Sequence, residues 1–178
     1  MKVMFTHHYG SWISKAIVYF TETENSVKPC PSHCLPIIDE GKYVTYGLSA
    51  DELMVNIVDI DRYRDPNIYA FRIYELPDKI DPKLYTQKFI EKYNQVNYGW
   101  FDLLWFIPRK LFGKFWKLIR FKNPIDMGQF CSEISNRWLL EAGYATDLIP
   151  NDTHPNELEL RVIELGGKLI EEQKLCIN

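Results

Sequence analysis

The sequence has no long run of apolar residues. No window of the chain reaches the roughly 18 apolar residues that a membrane-spanning helix needs. The first residues, "MKVMFTHHYGSW", lack the uninterrupted apolar core of a secretory signal. Internal repeats and low-complexity linkers are absent as well. These absences predict a single domain over residues 1–178 that is cytoplasmic as synthesised.

The chain also has no excess of basic residues. Its formal net charge is −3 and its pI is near 5.8, so overall charge gives no reason to expect nucleic-acid binding. Hydrophobic residues make up 46% and charged residues 25%, which is the composition of a globular domain that can bury a core. Any basic partner surface is therefore expected to be local.

Cysteine is scarce, and its spacing excludes a disulfide framework. The four residues are Cys30, Cys34, Cys131 and Cys176. The stretch "CPSHC" resembles half of a zinc site, but no second short-spaced pair of ligands follows it. His7 and His8 are adjacent on a predicted strand and would point to opposite faces. The sequence therefore predicts reduced thiols, with no metal and no cofactor.

The periodicity of the sequence predicts an α+β fold, an antiparallel sheet with packed helices. A strand in "KVMFTHHYG" precedes a helix with Ser11 as its N-cap. The runs "HCLPII" and "YVTYGL" form a predicted hairpin with a two-residue turn at Glu40-Gly41, and Pro36 predicts an edge or a bulge in its first strand. Two further strands, "LMVNIVDIDRY" and "IYAFRIYEL", follow.

The second half of the chain is predicted to be mainly helical. One helix begins at Asp81-Pro82, and another spans "GQFCSEISNRWLLEAGY", with Cys131 in its first turn and Gly143 after its end. The tail, "DLIPNDTHPNELELRVIELGGKLI", is predicted to contain turns and then one or two short strands.

Cys131 and His33 are the candidate nucleophile and base. A thiol in the first turn of a helix faces the positive end of the helix dipole and free backbone N–H groups, which lower its pKa. A thiolate nucleophile needs a base, and a histidine at the start of a strand supplies one. Each residue also has an alternative interpretation: Cys131 as a buried apolar side chain, and His33 as a loop histidine.

Four blocks of the chain together resemble a known family. "GSWISKAIVYFT", "PSHCLPIIDEGKYVTYG", "QFCSEISNRWLLEAGY" and "DLIPNDTHPNEL" resemble the permuted papain-like amidases of the NlpC superfamily, in the YiiX-like branch related to lecithin–retinol acyltransferase. "FCSE" followed by "EAGY" is the most specific part. The resemblance implies a circularly permuted papain-like (NlpC-type) fold and a cysteine hydrolase, which suits a bacterial or phage source.

The resemblance implies a role for each site residue. Cys131 would attack an amide carbonyl, with His33 as the base, and the first turn would stabilise the oxyanion with support from Ser132 and Glu133. Members of this branch place a glutamate on the next strand, where this chain has Tyr46. The predicted hairpin register places Leu48 opposite His33 and Tyr46 diagonally from it.

Other residues of the site region have simpler expectations. Asp51 or Glu52 is an alternative orienting acid for the base. Cys34 is expected to point to the opposite sheet face from its neighbour and to pack there. Glu133 is expected to interact with the helix dipole.

Residues 100–122 mix tryptophan and phenylalanine with lysine and arginine. This pattern is typical of a helix at a membrane surface or over a lipidic substrate, and also of an amphipathic helix that packs on the core.

Three functions therefore stay open for the protein. The first is an amidase or peptidase acting on a peptide, such as cell-wall peptide, or on a lipid-linked amide. The others are a membrane-surface acyltransferase or lipid hydrolase, and a non-catalytic binding module.

Overall fold

A computed structural model of the protein describes residues 1–40, 44–51, 54–97 and 130–176. The strands in these residues are β1 (Lys2–His8), β2 (His33–Glu40), β3 (Thr45–Asp51), β4 (Met54–Asp59), β5 (Tyr69–Glu75) and β6 (Lys168–Gln173). They form one six-stranded sheet in the order β4-β3-β2-β1-β5-β6, and every neighbouring pair is antiparallel. The prediction of a mixed fold with an antiparallel sheet is therefore confirmed.

Helices pack with this sheet. Within the described residues they are α1 (Trp12–Thr21), α2 (Pro82–Tyr93), α3 (Cys131–Glu141) and α4 (Pro155–Glu164), and two short 3-10 turns cover Ile60–Tyr63 and Pro150–Asp152. In this part of the chain no helix combines the length and apolar character needed to cross a membrane. Helix α3 contacts β2 and β3, and it also contacts α4.

Side chains alternate between two apolar clusters on the two faces of the sheet. Along β1, Val3 and Phe5 join the cluster that includes Ile134 and Trp138 of α3, whereas Met4 joins a second cluster. This separation follows from the two-residue period of a strand. The sheet thus has one face under α3 and another packed against the 3-10 turn at Ile60–Tyr63.

The predicted ends of α1 and α3 are confirmed. Ser11 caps α1, because its side chain accepts a hydrogen bond from the Ser14 N–H at 3.3 Å. Helix α3 begins at Cys131 and ends just before Gly143, which has a φ of 85°. A positive φ favours glycine at the residue that terminates a helix.

The predicted register of the β2–β3 hairpin is wrong. Glu40 belongs to β2 and pairs with Thr45, so four residues connect the strands in place of a two-residue turn. The pairing also shifts between Ile37 and Asp39, a bulge adjacent to Pro36. Tyr46 consequently lies opposite Asp39, several residues along the strand from His33.

The tail forms helix α4 and then strand β6, where turns and one or two short strands were predicted. Leu158 and Val162 are both fully buried, and their four-residue separation places them on one face of α4. His154 caps this helix by accepting from the Glu157 N–H at 3.2 Å, and Pro155 is its first residue. The apolar residues of "ELELRVIEL" also fit a two-residue period, which is why periodicity alone indicated a strand. Only β6 follows it as a strand among the described residues.

A buried ion pair links the sheet to α4. The Arg72 Nε lies 2.6 Å from Glu159 Oε1, and the Arg72 Nη2 lies 2.9 Å from Glu159 Oε2. The same Nη2 donates to the Pro29 carbonyl oxygen at 2.8 Å. The side chains are 6% and 0% exposed, so each charge depends on the other for compensation.

Replacing Glu159 by alanine should destabilise the fold strongly. We expect a loss of about 3–5 kcal/mol in the free energy of unfolding, because the substitution leaves the buried Arg72 charge uncompensated. Urea denaturation, monitored by fluorescence, measures this free energy. The matched control is Lys92→Ala, which removes an exposed pair with Glu141 at 2.7 Å and should cost less than about 1 kcal/mol. Equal losses in the two variants would contradict the structural role of the buried pair.

Candidate active site

Cys131 is the first residue of α3, and its side chain is buried. The first backbone hydrogen bond of the helix runs from the Ile134 N–H to the Phe130 carbonyl at 3.0 Å. The N–H groups of residues 131–133 therefore lie before the helical ladder, at the positive end of the dipole. The residue itself is 2% exposed, so its sulfur is largely removed from water.

Cys34 and His33 hold the pKa of the Cys131 thiol well below its ordinary value. The Cys34 side chain contributes most, and the His33 ring and the backbone of Cys34 act in the same direction, whereas burial acts against them. These surroundings favour the thiolate form of Cys131. Two residues that are far apart in sequence, His33 and Cys131, meet here.

Ser49 and Tyr63 hold the other side of the His33 ring. The His33 Nε2 lies 2.9 Å from Ser49 Oγ, and Ser49 Oγ lies 3.3 Å from the Tyr63 hydroxyl. Ser49 and Tyr63 are both buried. Because Ser49 occupies Nε2, Nδ1 is the ring nitrogen left for the Cys131 sulfur. When the ring is charged, both nitrogens are donors, so Nε2–H donates to Ser49 Oγ.

Tyr46 is not in this arrangement, so its predicted place beside His33 is wrong. It pairs with Asp39 in the β2–β3 ladder, and it is 38% exposed. The longer connection and the bulge move it along the strand, and they bring Ser49 to His33 instead. Asp51 and Glu52 were the alternative acids for orienting His33. Asp51 is the last residue of β3 and pairs with Met54 of β4. Glu52 lies outside the described residues.

Ser132 and Glu133 occupy the first turn of α3 as predicted, and both are fully buried. Ser132 Oγ donates to the Thr153 carbonyl at 2.7 Å, which fixes the helix start to the segment before α4. Glu133 Oε1 accepts from Arg137 Nη2 at 2.8 Å, one turn further along α3. Their side chains thus make structural contacts, and the oxyanion donors available at this end are backbone N–H groups.

Asn136 anchors α3 through a buried polar network. Its amide nitrogen donates to the Leu148 carbonyl at 3.2 Å and to Thr153 Oγ1 at 3.0 Å, and its amide oxygen accepts from Thr146 Oγ1 at 2.7 Å. Asn136, Thr146 and Thr153 are all buried. A buried polar network is stabilising only when its members are satisfied, and this one joins α3 to the whole segment that precedes α4.

Sequence reasoning missed the roles of Ser49, Tyr63 and Cys34. Cys34 faces the helix layer, as the alternation along β2 predicts, but it contacts Cys131 rather than only packing. The adjacency of Cys34 and His33 gave no signal for this contact, because neighbouring residues of a strand point to opposite faces of the sheet. Ser49 and Tyr63 could be assigned only once the register of β2 and β3 was known.

The remaining residues of "CPSHC" and the adjacent histidines have local partners. Cys30 accepts from Lys28 Nζ at 3.4 Å, and the His7 Nδ1 lies 2.7 Å from the Cys30 carbonyl. His8 Nδ1 accepts from the Ser11 N–H at 3.0 Å. In the described part of the chain, no group of three His, Cys, Asp or Glu side chains is arranged to hold a metal ion. The aromatic and basic segment 100–122 lies outside the described residues.

The chain was compared with protein-family models, with curated proteins and with solved structures. None of the three comparisons found a match.

Proposed function

We propose that the protein is a cysteine-dependent amidase or peptidase on a circularly permuted papain-like (NlpC-type) fold. One observation carries the proposal: Cys131 at a helix start and His33 at the start of a strand come together, and Cys34 and His33 hold the pKa of Cys131 well below its ordinary value. The order of the two residues and the strand–helix pairing support the permuted fold. The substrate class, a peptide such as cell-wall peptide or a lipid-linked amide, comes from the family resemblance.

The reaction begins with attack of the Cys131 sulfur on the amide carbonyl carbon. An S–C bond forms, the oxyanion lies near the first N–H groups of α3, and the C–N bond then breaks. The His33 imidazolium gives its proton to the departing amine. Water next attacks the thioester while His33 accepts its proton, and cleavage of the S–C bond releases the acid and restores the thiolate. No cofactor enters this cycle.

A neutral hydroxyl suffices to orient His33 in this scheme. In a serine hydrolase the imidazolium forms during the reaction, and a carboxylate stabilises the new charge. In a cysteine–histidine pair the thiolate is present from the start and already compensates the imidazolium. Ser49 therefore needs only to hold the ring in position, and the 2.9 Å contact with Nε2 does so.

Activity should depend on both Cys131 and His33. We expect p-nitrophenyl esters to acylate Cys131, with the thioester detected on the Cys131 peptide by mass spectrometry after an acid quench. Digests of peptidoglycan and synthetic acyl amides then test amide cleavage by chromatography. Cys131→Ala should abolish turnover, and His33→Gln should reduce it by roughly 10²–10⁴-fold. Turnover that persists in Cys131→Ala would refute the proposal, and binding without turnover in either form would indicate a non-catalytic module.

Cys131 should remain a thiolate at a lower pH than an ordinary cysteine does. Thiolates absorb in the ultraviolet, so the difference spectrum between the unaltered chain and Cys131→Ala reports the charge of this one sulfur without requiring access by a reagent. Since the pKa of Cys131 is lowered by the Cys34 thiol and by His33, the signal should persist as the pH falls below the range in which thiolate is lost from the urea-unfolded chain. The midpoint describes the coupled cysteine–histidine pair. Coincident titrations of folded and unfolded chains would contradict the prediction.

Ser49→Ala should slow turnover without removing it. Loss of this contact removes a hydrogen bond from the His33 ring, which corresponds to about 1–2 kcal/mol, or roughly a 5- to 30-fold decrease in kcat. The matched control is Tyr46→Phe, which removes a hydroxyl from the same strand at a position away from His33 and should leave kcat unchanged. A larger effect from Tyr46→Phe than from Ser49→Ala would support the register predicted from the sequence over the one described above.

A further inference from the structure

Tyr63 lies at the far end of the hydroxyl pair that supports the His33 ring. The His33 Nε2 lies 2.9 Å from Ser49 Oγ, and Ser49 Oγ lies 3.3 Å from the Tyr63 hydroxyl oxygen. Ser49 is fully buried and Tyr63 is 4% exposed, so bulk water has little access to either hydroxyl. A path of hydrogen bonds therefore runs from the ring, through one buried hydroxyl, to a second one.

The surroundings of Tyr63 hold its side chain in place. Tyr63 is the last residue of the 3-10 turn Ile60–Tyr63, and the Asp59 side chain caps this turn by accepting from the Asp61 N–H at 2.9 Å. The Tyr63 ring meets the Tyr69 ring edge to face, with 5.4 Å between the ring centroids. Because the turn and the ring are both held, the Tyr63 hydroxyl is a fixed partner and not a mobile one.

A path of two hydroxyls can run in either of two directions. Each hydroxyl has one proton to donate and lone pairs that accept. In the first direction the His33 Nε2–H donates to Ser49, and Ser49 donates to Tyr63. In the reverse direction Tyr63 donates to Ser49, Ser49 donates to Nε2, and the proton of a neutral ring lies on Nδ1. The direction of the path thus decides which ring nitrogen carries the proton.

The proposed reaction requires the first direction. An imidazolium has no lone pair on either nitrogen, so the Nε2–H of charged His33 has to donate to Ser49 Oγ. Once Nδ1 has given its proton to the departing amine, the same direction leaves Nδ1 open to accept the proton of water. The reverse direction would keep a proton on Nδ1 and block that step. Reversal also requires two buried hydroxyls to turn together, because hydrogen bonds in a chain depend on one another.

We infer that Tyr63 is a positioning residue, which accepts the Ser49 proton and thereby keeps the proton of neutral His33 on Nε2. The inference rests on the proposed function, because it gives Tyr63 a role only through the base. Without the Tyr63 hydroxyl, the Ser49 proton loses this acceptor and can turn to Nε2. The neutral ring then carries its proton on Nδ1, the nitrogen that has to accept one.

The tautomer of His33 can be measured without any substrate. Nitrogen-15 chemical shifts of the two ring nitrogens distinguish Nε2–H from Nδ1–H in a neutral histidine. The measurement uses Cys131→Ala at a pH at which the ring is neutral, so that no thiolate charge acts on the ring. We expect the ratio of Nε2–H to Nδ1–H to fall by about 3- to 10-fold when Tyr63→Phe is added, which corresponds to the loss of one hydrogen bond.

The matched control is Tyr69→Phe. It removes a hydroxyl from the tyrosine that packs against Tyr63 and leaves both rings in place. We expect it to leave the tautomer ratio unchanged. A change of equal size in the two variants would show that any disturbance of this aromatic pair alters His33, and would count against a specific role for the Tyr63 hydroxyl.

Kinetics of the chain with Cys131 intact separate the hydrogen bond from simple packing. Tyr63→Phe should lower kcat by about 3- to 10-fold. In a Ser49→Ala background the same substitution should have almost no further effect, because Tyr63 acts only through Ser49.

Two results would overturn the inference. If the tautomer ratio is the same with and without the Tyr63 hydroxyl, Tyr63 does not direct the Ser49 proton. If the losses of kcat from Tyr63→Phe and Ser49→Ala are additive while both variants remain folded, Tyr63 acts through packing. In either case, turnover that is lost in Cys131→Ala leaves the proposed function intact. Turnover that persists in Cys131→Ala would instead remove the proposed function, whatever the tautomer ratio.

Discussion

The attachment of α3 to the segment that precedes α4 is the constraint on which the site depends. The buried amide of Asn136 satisfies groups at Leu148, Thr146 and Thr153, so the helix cannot slide or rotate without leaving several buried polar atoms unsatisfied. Ser132 adds a further bond to Thr153 at the helix start itself. These contacts fix the first turn of α3 relative to residues 146–153. The Cys131 sulfur is thereby held by a helix that its own polar residues anchor, rather than by a loop.

A buried thiolate needs compensation from several directions. Removing the charge from water is costly, and a single hydrogen bond would not offset that cost. Here the residues that lower the pKa of Cys131 are the first two of β2, His33 and Cys34, and the His33 ring is in turn held by Ser49 of β3. Each of these residues belongs to a strand. The buried Arg72–Glu159 pair, elsewhere in the core, also needs compensation for the loss of water. Two hydrogen bonds between the guanidinium and the carboxylate provide it.

The sequence was informative wherever a local signal specified local structure. Ser11 indicated a helix start and Gly143 a helix end, and Cys131 was correctly placed in the first turn of α3. The errors arose where two interpretations shared one pattern or where long-range pairing decided the outcome. "ELELRVIEL" fits both a two-residue and a four-residue period, and burial of Leu158 with Val162 selects the helix. Pro36 indicated an irregularity, but not that it would displace Tyr46 from His33.

The residue beside His33 is Ser49 and not the predicted Tyr46. This difference matters for the chemistry of the site as well as for its geometry. Ser49 is fully buried, and its oxygen is within 3.3 Å of the buried Tyr63 hydroxyl, so the base is followed by a short series of neutral hydroxyls. A carboxylate at this position would favour a charged ring whether or not the thiolate was present. In the proposed mechanism the thiolate of Cys131 and the imidazolium of His33 compensate each other, so whatever stabilises the thiolate also stabilises the imidazolium beside it.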